Sequence, residues 1–259
     1  MSTTASESSA ATAPAPPSRR SLRSATTTPF TRTIGIASLL GMAWLFGFGI
    51  FVSPKDQVQK DAVRIMYVHV PAVYLAYLAF VVTAVASAAF LWNRTRSLTW
   101  DRIAGASAEI GVVFMAIALV TGSLWGSISW GTYWVWDARL TTTAFLFVTY
   151  IGYLAVRRLG GSHESRGRRS AIMALIAVLE VPLVHFSVEW WRPLHQTQTV
   201  AEGDIDGLML FSLFVGIITF TLFYVWLLMH RQRVLHMEDA MDDHGLELAL
   251  AERHREGQS

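Results

Sequence analysis

Six long apolar segments, separated by short polar stretches, dominate the pattern of the chain. They span approximately residues 33–52, 65–92, 103–124, 140–156, 171–188 and 207–229. Each is close to or longer than the roughly 20 residues with which a helix crosses about 30 Å of hydrocarbon. The first segment exceeds the apolar core of a cleaved signal peptide, about 7–15 residues. The pattern therefore predicts an all-α integral membrane protein with six transmembrane helices.

Polar segments flank this apolar region. Residues 1–31 are rich in Ser, Thr, Ala and Pro and predict a disordered N-terminal extension, because such a composition cannot bury a core. Residues 32–235 form the predicted six-span membrane domain. Residues 236–259 are a charged tail that could fold as a soluble helix.

The distribution of basic residues predicts the orientation in the membrane. Sixteen of the 21 lysines and arginines lie before the first span, after the second and fourth spans, and in the tail. Because basic residues accumulate on the cytoplasmic side, we expect both termini in the cytoplasm. Loops 53–64, 125–139 and 189–206 then lie outside.

The amino-acid composition excludes several kinds of binding and catalytic site. The chain is 53% hydrophobic and 15% charged, against about 25% charged in soluble domains, which agrees with a membrane location. It has no cysteine, so disulfides, thiolate metal sites and covalent attachment of a c-type haem are excluded. The sequence contains no phosphate-binding glycine loop, nucleophile–base pattern or metal-hydrolase motif, and we expect a protein that is not an enzyme.

Tryptophans are concentrated near the predicted outer loops. Trp130, Trp134 and Trp136 lie in one short segment, and Trp190 and Trp191 follow the fifth span. An aromatic belt at the membrane–water boundary is one explanation, but a belt does not account for so dense a cluster on one side. Indole rings at this density also form a platform for a large planar ligand.

Charged residues beside the cluster suit a ligand with a polar edge. The planar guanidinium of Arg139 can bind a carboxylate there, and Arg192 is a weaker candidate. Asp137 either contacts the ligand or pairs with Arg139 and fixes the loop.

Two histidines stand at the outer ends of different spans. His69 begins the second span and His185 ends the fifth, so both lie at a similar depth. Two imidazoles from different helices at one level are what axial ligation of an iron porphyrin requires. The alternative is two unrelated interfacial histidines. His195, in the following loop, we expect to be solvated or to face a partner.

Two carboxylates fall within spans, where a charge is costly. Glu180 is either functional or protonated and bonded to a neighbouring span, and Glu109 receives no role. Pro182 should kink the fifth span, because it cannot donate to the carbonyl of Val178.

Three segments carry a resemblance to a known family. They are residues 66–71 (MYVHVP), 130–141 (WGTYWVWDARLT) and 182–191 (PLVHFSVEWW). The middle segment resembles the WWD signature of haem-handling proteins. With six spans, residues 32–235 are similar to the cytochrome c maturation protein C family (CcmC). Other WWD families are longer and have more spans.

The resemblance implies that haem b is held without a covalent bond at the periplasmic face. His69 and His185 would be the axial ligands of the iron, and the WWD loop, residues 125–141, would cover the porphyrin. The residues that we expect at the haem site are His69, His185, Trp130, Trp134, Trp136, Asp137, Arg139, Trp190 and Trp191.

The resemblance also implies a place and partners. The chain would be a multi-pass protein of the cell inner membrane that presents haem to the haem chaperone CcmE for c-type cytochrome biogenesis. It would work beside the ABC-type subunits CcmA and CcmB and the small single-span CcmD, within membrane lipid and without nucleic acid.

Two other functions compete with haem delivery. An electron-transfer cytochrome b subunit also uses paired histidines, but only one plausible pair is present and no helix carries two for stacked haems. A solute permease with an aromatic vestibule would lack a haem absorption band.

Overall fold

The computed structural model describes residues 28–92, 94–191, 195 and 205–256. Within them the chain is helical, with no β-strand apart from one bridge between Asp56 and Lys60. The predicted N-terminal extension lies almost wholly outside the described residues. The helices are α1 (Pro29–Trp44), α2 (Met66–Leu91), α3 (Leu98–Trp130), α4 (Ala138–Arg157), α5 (His163–Ala177), α6 (Glu180–Trp191) and α7 (Gly207–Glu256).

Six helical segments are long and apolar enough to cross a membrane, which confirms the predicted all-α architecture. A π-helical turn, Leu45–Gly49, extends α1, and a 3-10 turn, Asp61–Ile65, precedes α2. Helices α5 and α6 form one span that is interrupted between them. The helix is interrupted at Val178–Leu179, in agreement with the predicted effect of Pro182, which has no N–H to donate to the carbonyl of Val178. The backbone N–H of Val181 donates to that carbonyl instead, at 3.1 Å.

Helix α1 begins at Pro29, slightly before the predicted end of the extension. Thr28 caps it, accepting a hydrogen bond from the backbone N–H of Thr31 at 3.3 Å. At the other end of the chain, α7 has 50 residues. With a rise of about 1.5 Å per residue it is roughly 75 Å long, more than twice the thickness of hydrocarbon. As far as Glu256, the charged tail is therefore helical and continues the last span.

Helices α2 and α3 form the centre of the bundle and approach closely through small side chains. A Cβ on Gly111 of α3 would lie 2.6 Å from the ring of Phe80 and 3.1 Å from Ala79 on α2. Small residues at such crossings bring helix backbones together and allow dispersion contacts in lipid. Phe80 also stacks on Tyr150 of α4 at 3.6 Å between ring centroids. This packing fixes the position of α2, α3 and α4 relative to one another.

A network of ion pairs ties the helices together at the end of the bundle that is predicted to be cytoplasmic. Asp101 is 2% exposed and accepts two hydrogen bonds from Arg157, at 2.6 and 3.0 Å. Arg166 bridges Asp101 to Asp239 of α7, and Arg102 binds Asp239 at 2.8 Å. Because buried charges are costly unless they are paired, this network links α7 at Asp239 to α3 and α5, and links α3 to α4.

Candidate functional site

A cavity lies between α2, α3 and α4 at the end of the bundle opposite the ion-pair network. The space between these helices, counted together with the open solvent at its mouth, is about 550 Å³. Its lining is aromatic and aliphatic with a few polar groups. The lining residues are His69, Val73, Tyr77, Met115, Ala118, Leu119, Gly122, Ser123, Trp130, Trp134, Arg139, Leu140, Thr143 and His195.

His69 projects from the first turn of α2 towards α3. Its Nδ1 lies 3.1 Å from the carbonyl oxygen of Ala118 and 3.1 Å from Oγ1 of Thr121. Since a carbonyl can only accept, Nδ1 carries the proton and Nε2 keeps its lone pair. A histidine that binds a metal through one ring nitrogen commonly donates from the other to a carbonyl in this way. The sequence of α3 makes room for the ring, because a Cβ on Gly122 would lie 2.9 Å from Cε1 of His69.

The tryptophan cluster is divided between helix and loop. Helix α3 continues to Trp130 and ends at Gly131, whose φ of 74° favours glycine. Of the predicted WWD loop, only residues 131–137 are non-helical. Trp130 folds back over Gly126, where a Cβ would lie 3.0 Å from the indole. Trp134 lines the cavity, and its buried Nε1 has no hydrogen-bond acceptor among the described residues.

His195 also reaches the cavity, which corrects the expectation that it is solvated or faces a partner. Its ring lies edge-on to Trp130 at 5.6 Å between centroids, and its buried Nδ1 has no hydrogen-bond partner in the described part of the chain. Burial lowers the pKa of His195 to about 4, with the positive charge of Arg139 acting in the same direction. The imidazole is therefore neutral at physiological pH and can act as a metal ligand.

Arg139 and Asp137 have separate tasks. Arg139 lines the cavity, and its Nη2 donates to the carbonyl of His185 at 2.9 Å. Asp137 caps α4, because its Oδ1 accepts from the backbone N–H of Leu140 at 2.8 Å. Of the two possibilities for Asp137, the pairing with Arg139 does not occur: the carboxylate fixes the loop as a helix cap instead.

The remaining predicted site residues do not line the cavity. The side chain of His185 is exposed on α6, and only its backbone carbonyl reaches the cavity wall, through Arg139. Trp136 is 80% exposed, Trp190 58% and Trp191 55%. Arg192 lies outside the described residues. The structure thus brings His69, Trp130, Trp134 and Arg139 together. It leaves four predicted side chains exposed: His185, Trp136, Trp190 and Trp191.

The two intramembrane carboxylates lie away from the cavity. Glu109 forms an ion pair with Arg231 of α7. Glu180 accepts a hydrogen bond from Thr149 on α4 at 2.9 Å, which agrees with the alternative of a bond to a neighbouring span. Its second oxygen is buried and has no donor within the described ranges.

Sequence reasoning missed several residues of the cavity wall. Tyr77 lies on the same face of α2 as His69, eight residues further on, and this spacing was a signal that could have identified it. Trp125, the first residue of the predicted WWD loop, does not line the cavity. It packs edge-on against His69 at 5.8 Å between ring centroids and donates from Nε1 to Gln59 at 2.6 Å. It supports the imidazole from behind and ties the 53–64 loop to α3.

Comparisons with known proteins agree with the motifs. A family model described as "Heme exporter protein C" (CcmC) matches residues 14–245. "Heme exporter protein C" of Escherichia coli strain K12 is 39% identical over 209 residues, which cover 80% of this chain and 83% of that protein. The protein of the same name from Bradyrhizobium diazoefficiens is 38% identical over 190 residues, 71% of each chain. A "Putative cytochrome c biosynthesis ccmC-like mitochondrial protein" of Marchantia polymorpha is 36% identical over 169 residues, 63% of this chain and 71% of its own.

Proposed function

The chain belongs to the heme exporter protein C family, and we propose on this basis that it binds haem in the cavity described above and delivers it for the assembly of c-type cytochromes. The names of its relatives support a role in haem handling and cytochrome c biosynthesis. Six helices able to span a membrane agree with a multi-pass membrane protein.

The orientation of His69 is the observation that carries the proposal. Its Nδ1 proton is held by the carbonyl of Ala118, so the nitrogen left to bind iron is Nε2. The ring stands in a cavity with two indoles and one guanidinium. Iron, an extended aromatic ring and carboxylate side chains are the three chemical features of haem, and each has a matching group. Since the chain lacks cysteine, the haem is a non-covalently bound b-type haem.

We assign the second axial ligand to His195 rather than to His185. The side chain of His185 is exposed and does not line the cavity, whereas His195 lines it and is neutral. His185 contributes its backbone carbonyl, which holds Arg139. Arg139 faces a haem propionate. Three exposed side chains outside the cavity contact lipid or a partner: Trp136, Trp190 and Trp191.

Delivery then takes place at the periplasmic face of the inner membrane. In the orientation predicted from the basic residues, the cavity and the exposed Trp136 lie on this face. The haem passes to the chaperone CcmE, and the chain works with CcmA, CcmB and CcmD. The task is binding and transfer rather than catalysis.

Absorption spectroscopy of the full-length protein, purified after haem supply, tests the proposal. The wild type should show a Soret band and release its haem into acid acetone. His69→Ala and His195→Ala should each lose or shift the band, whereas His185→Ala should keep it, because the backbone carbonyl survives the substitution.

Three results would contradict parts of this assignment. A wild type without a Soret band would exclude haem binding. A shifted band in His185→Ala together with a normal band in His195→Ala would assign the second ligand to His185. A wild type that keeps its haem in the presence of the chaperone, in the assembled membrane complex, would exclude delivery.

A further inference from the structure

The polar groups of the cavity wall favour an anion. The lining residues include one arginine and no aspartate or glutamate. Arg139 takes part in none of the ion pairs of the described residues. Its Nε is buried and donates to no acceptor in that part of the chain. A cation that is largely removed from water and has no carboxylate partner is a binding group for an anionic ligand.

Tyr77 adds a phenolic side chain to the wall of the same cavity. His69, Val73 and Tyr77 follow one another at intervals of four residues on one face of α2, and all three line the cavity. With a rise of about 1.5 Å per residue, Tyr77 lies about 12 Å further along the helix than His69. The cavity wall therefore extends from His69 along α2 to a phenolic side chain.

We propose, on the basis of the haem function above, that Tyr77 and Arg139 form a carboxylate subsite that takes one propionate of the porphyrin. The hydroxyl and the guanidinium both donate, and bonds to a charged acceptor are the stronger kind. The haem stands with this propionate towards the middle of the bundle. Its opposite, apolar edge lies against Trp130 and Trp134 near the mouth.

Substitution of Tyr77 by phenylalanine distinguishes a hydroxyl that binds a propionate from a side chain that only packs. A tyrosine that only fills space can be replaced by phenylalanine without loss, because the ring is retained. A tyrosine that donates to a propionate loses one hydrogen bond, and it loses it only when the ligand has a free carboxylate. Esterified haem keeps the porphyrin and the iron but has no carboxylate charge.

The test measures the affinities of wild type and Tyr77→Phe for haemin and for haemin dimethyl ester, by Soret titration of the purified protein. Tyr77→Phe should bind haemin about tenfold to a hundredfold more weakly, since a hydrogen bond to a charged group contributes about 1.5–3 kcal/mol and 1.4 kcal/mol is tenfold. It should bind the ester within about twofold of the wild type, as expected for an intact stack of aromatic contacts. Arg139→Gln should show the same preference for the ester.

Tyr74→Phe is the matched control. Tyr74 lies on the same helix, is 36% exposed, and accepts a hydrogen bond from Thr221 at 3.5 Å outside the cavity. It should bind both ligands like the wild type.

The outcomes separate the subsite from the haem function. If Tyr77→Phe binds both ligands as the wild type does, or loses both equally, the subsite is wrong while haem binding stands. If Tyr77→Phe is unstable, Arg139→Gln decides: an equal loss for haemin and ester overturns the subsite. A wild type that binds neither ligand overturns the proposed function and the subsite with it.

Discussion

Substitution of Gly122 by alanine tests the role of His69 without changing the imidazole itself. The added Cβ would lie 2.9 Å from Cε1 and 3.4 Å from Nδ1 of His69, where ordinary contact begins at 3.4 Å. The overlap is therefore about half an ångström. Separation of α2 from α3 to relieve it would open the close contacts of Gly111 with Phe80 and Ala79. The ring of His69 is the element that can rotate, and rotation moves Nε2.

The expected loss follows from these contacts. Overpacking by one carbon costs about 1–3 kcal/mol, and tilting the ring weakens two hydrogen bonds of Nδ1, to Ala118 and Thr121, that lie at 3.1 Å. If this cost falls on the ligated geometry, haem affinity drops between about fivefold and a hundredfold, at 1.4 kcal/mol for each factor of ten. The free protein can turn the ring away, so its thermal stability should change much less than its affinity.

The assay compares haem affinity, the Soret band and the unfolding midpoint of Gly122→Ala with those of Gly47→Ala. Gly47 is a suitable control because it also lies in an apolar helical segment, and a Cβ there meets no atom within 4 Å. Gly47→Ala should keep its haem. If Gly122→Ala kept wild-type affinity and an unchanged band, the ring of His69 would not be an iron ligand in the orientation that Ala118 imposes.

Three further changes separate the cavity from its surroundings. Trp134→Ala should weaken haem retention by a few-fold to about tenfold, because it removes a stacking contribution of about 0.5–1.5 kcal/mol and buried area. Trp136 is 80% exposed, so Trp136→Ala should retain haem like the wild type. Equal losses of haem per protein in the two variants would indicate an interfacial belt. Burial lowers the pKa of His195 to about 4, and protonation would remove the lone pair that binds iron. Soret titrations should therefore show haem binding unchanged from about pH 8 to pH 5 and lost only in stronger acid. A midpoint near the ordinary histidine pKa of about 6.5 would contradict this prediction. Asp101→Ala should cost about 3–5 kcal/mol of folding free energy, because it leaves Arg157 without its buried partner, with no change in the Soret band of the folded fraction; an unfolding midpoint like the wild type's would refute the stabilising role.

The number and approximate position of the spans followed from hydropathy, because a helix that crosses lipid must be apolar over a fixed length. Their ends did not. Helix α3 runs beyond the apolar segment to Trp130 and stops only at Gly131, where the backbone enters the left-handed region. Asp101 and Asp239 were also missed. Each is one of several charged residues in a polar segment, and their pairing depends on contacts between distant parts of the chain.

For His69 and His185, the sequence predicted the position along the helix but not the direction in which the side chain points. Position along the fifth span placed His185 at the depth of His69, but position around the helix decides which way a side chain points. Val181, Val184 and Val188 form the buried face of α6, and a helix turns about 100° per residue. His185 therefore projects away from the core, while its carbonyl, directed along the helix axis, remains within reach of Arg139. His195 has no helical period to reveal its direction, and only the folded chain places it beside Trp130.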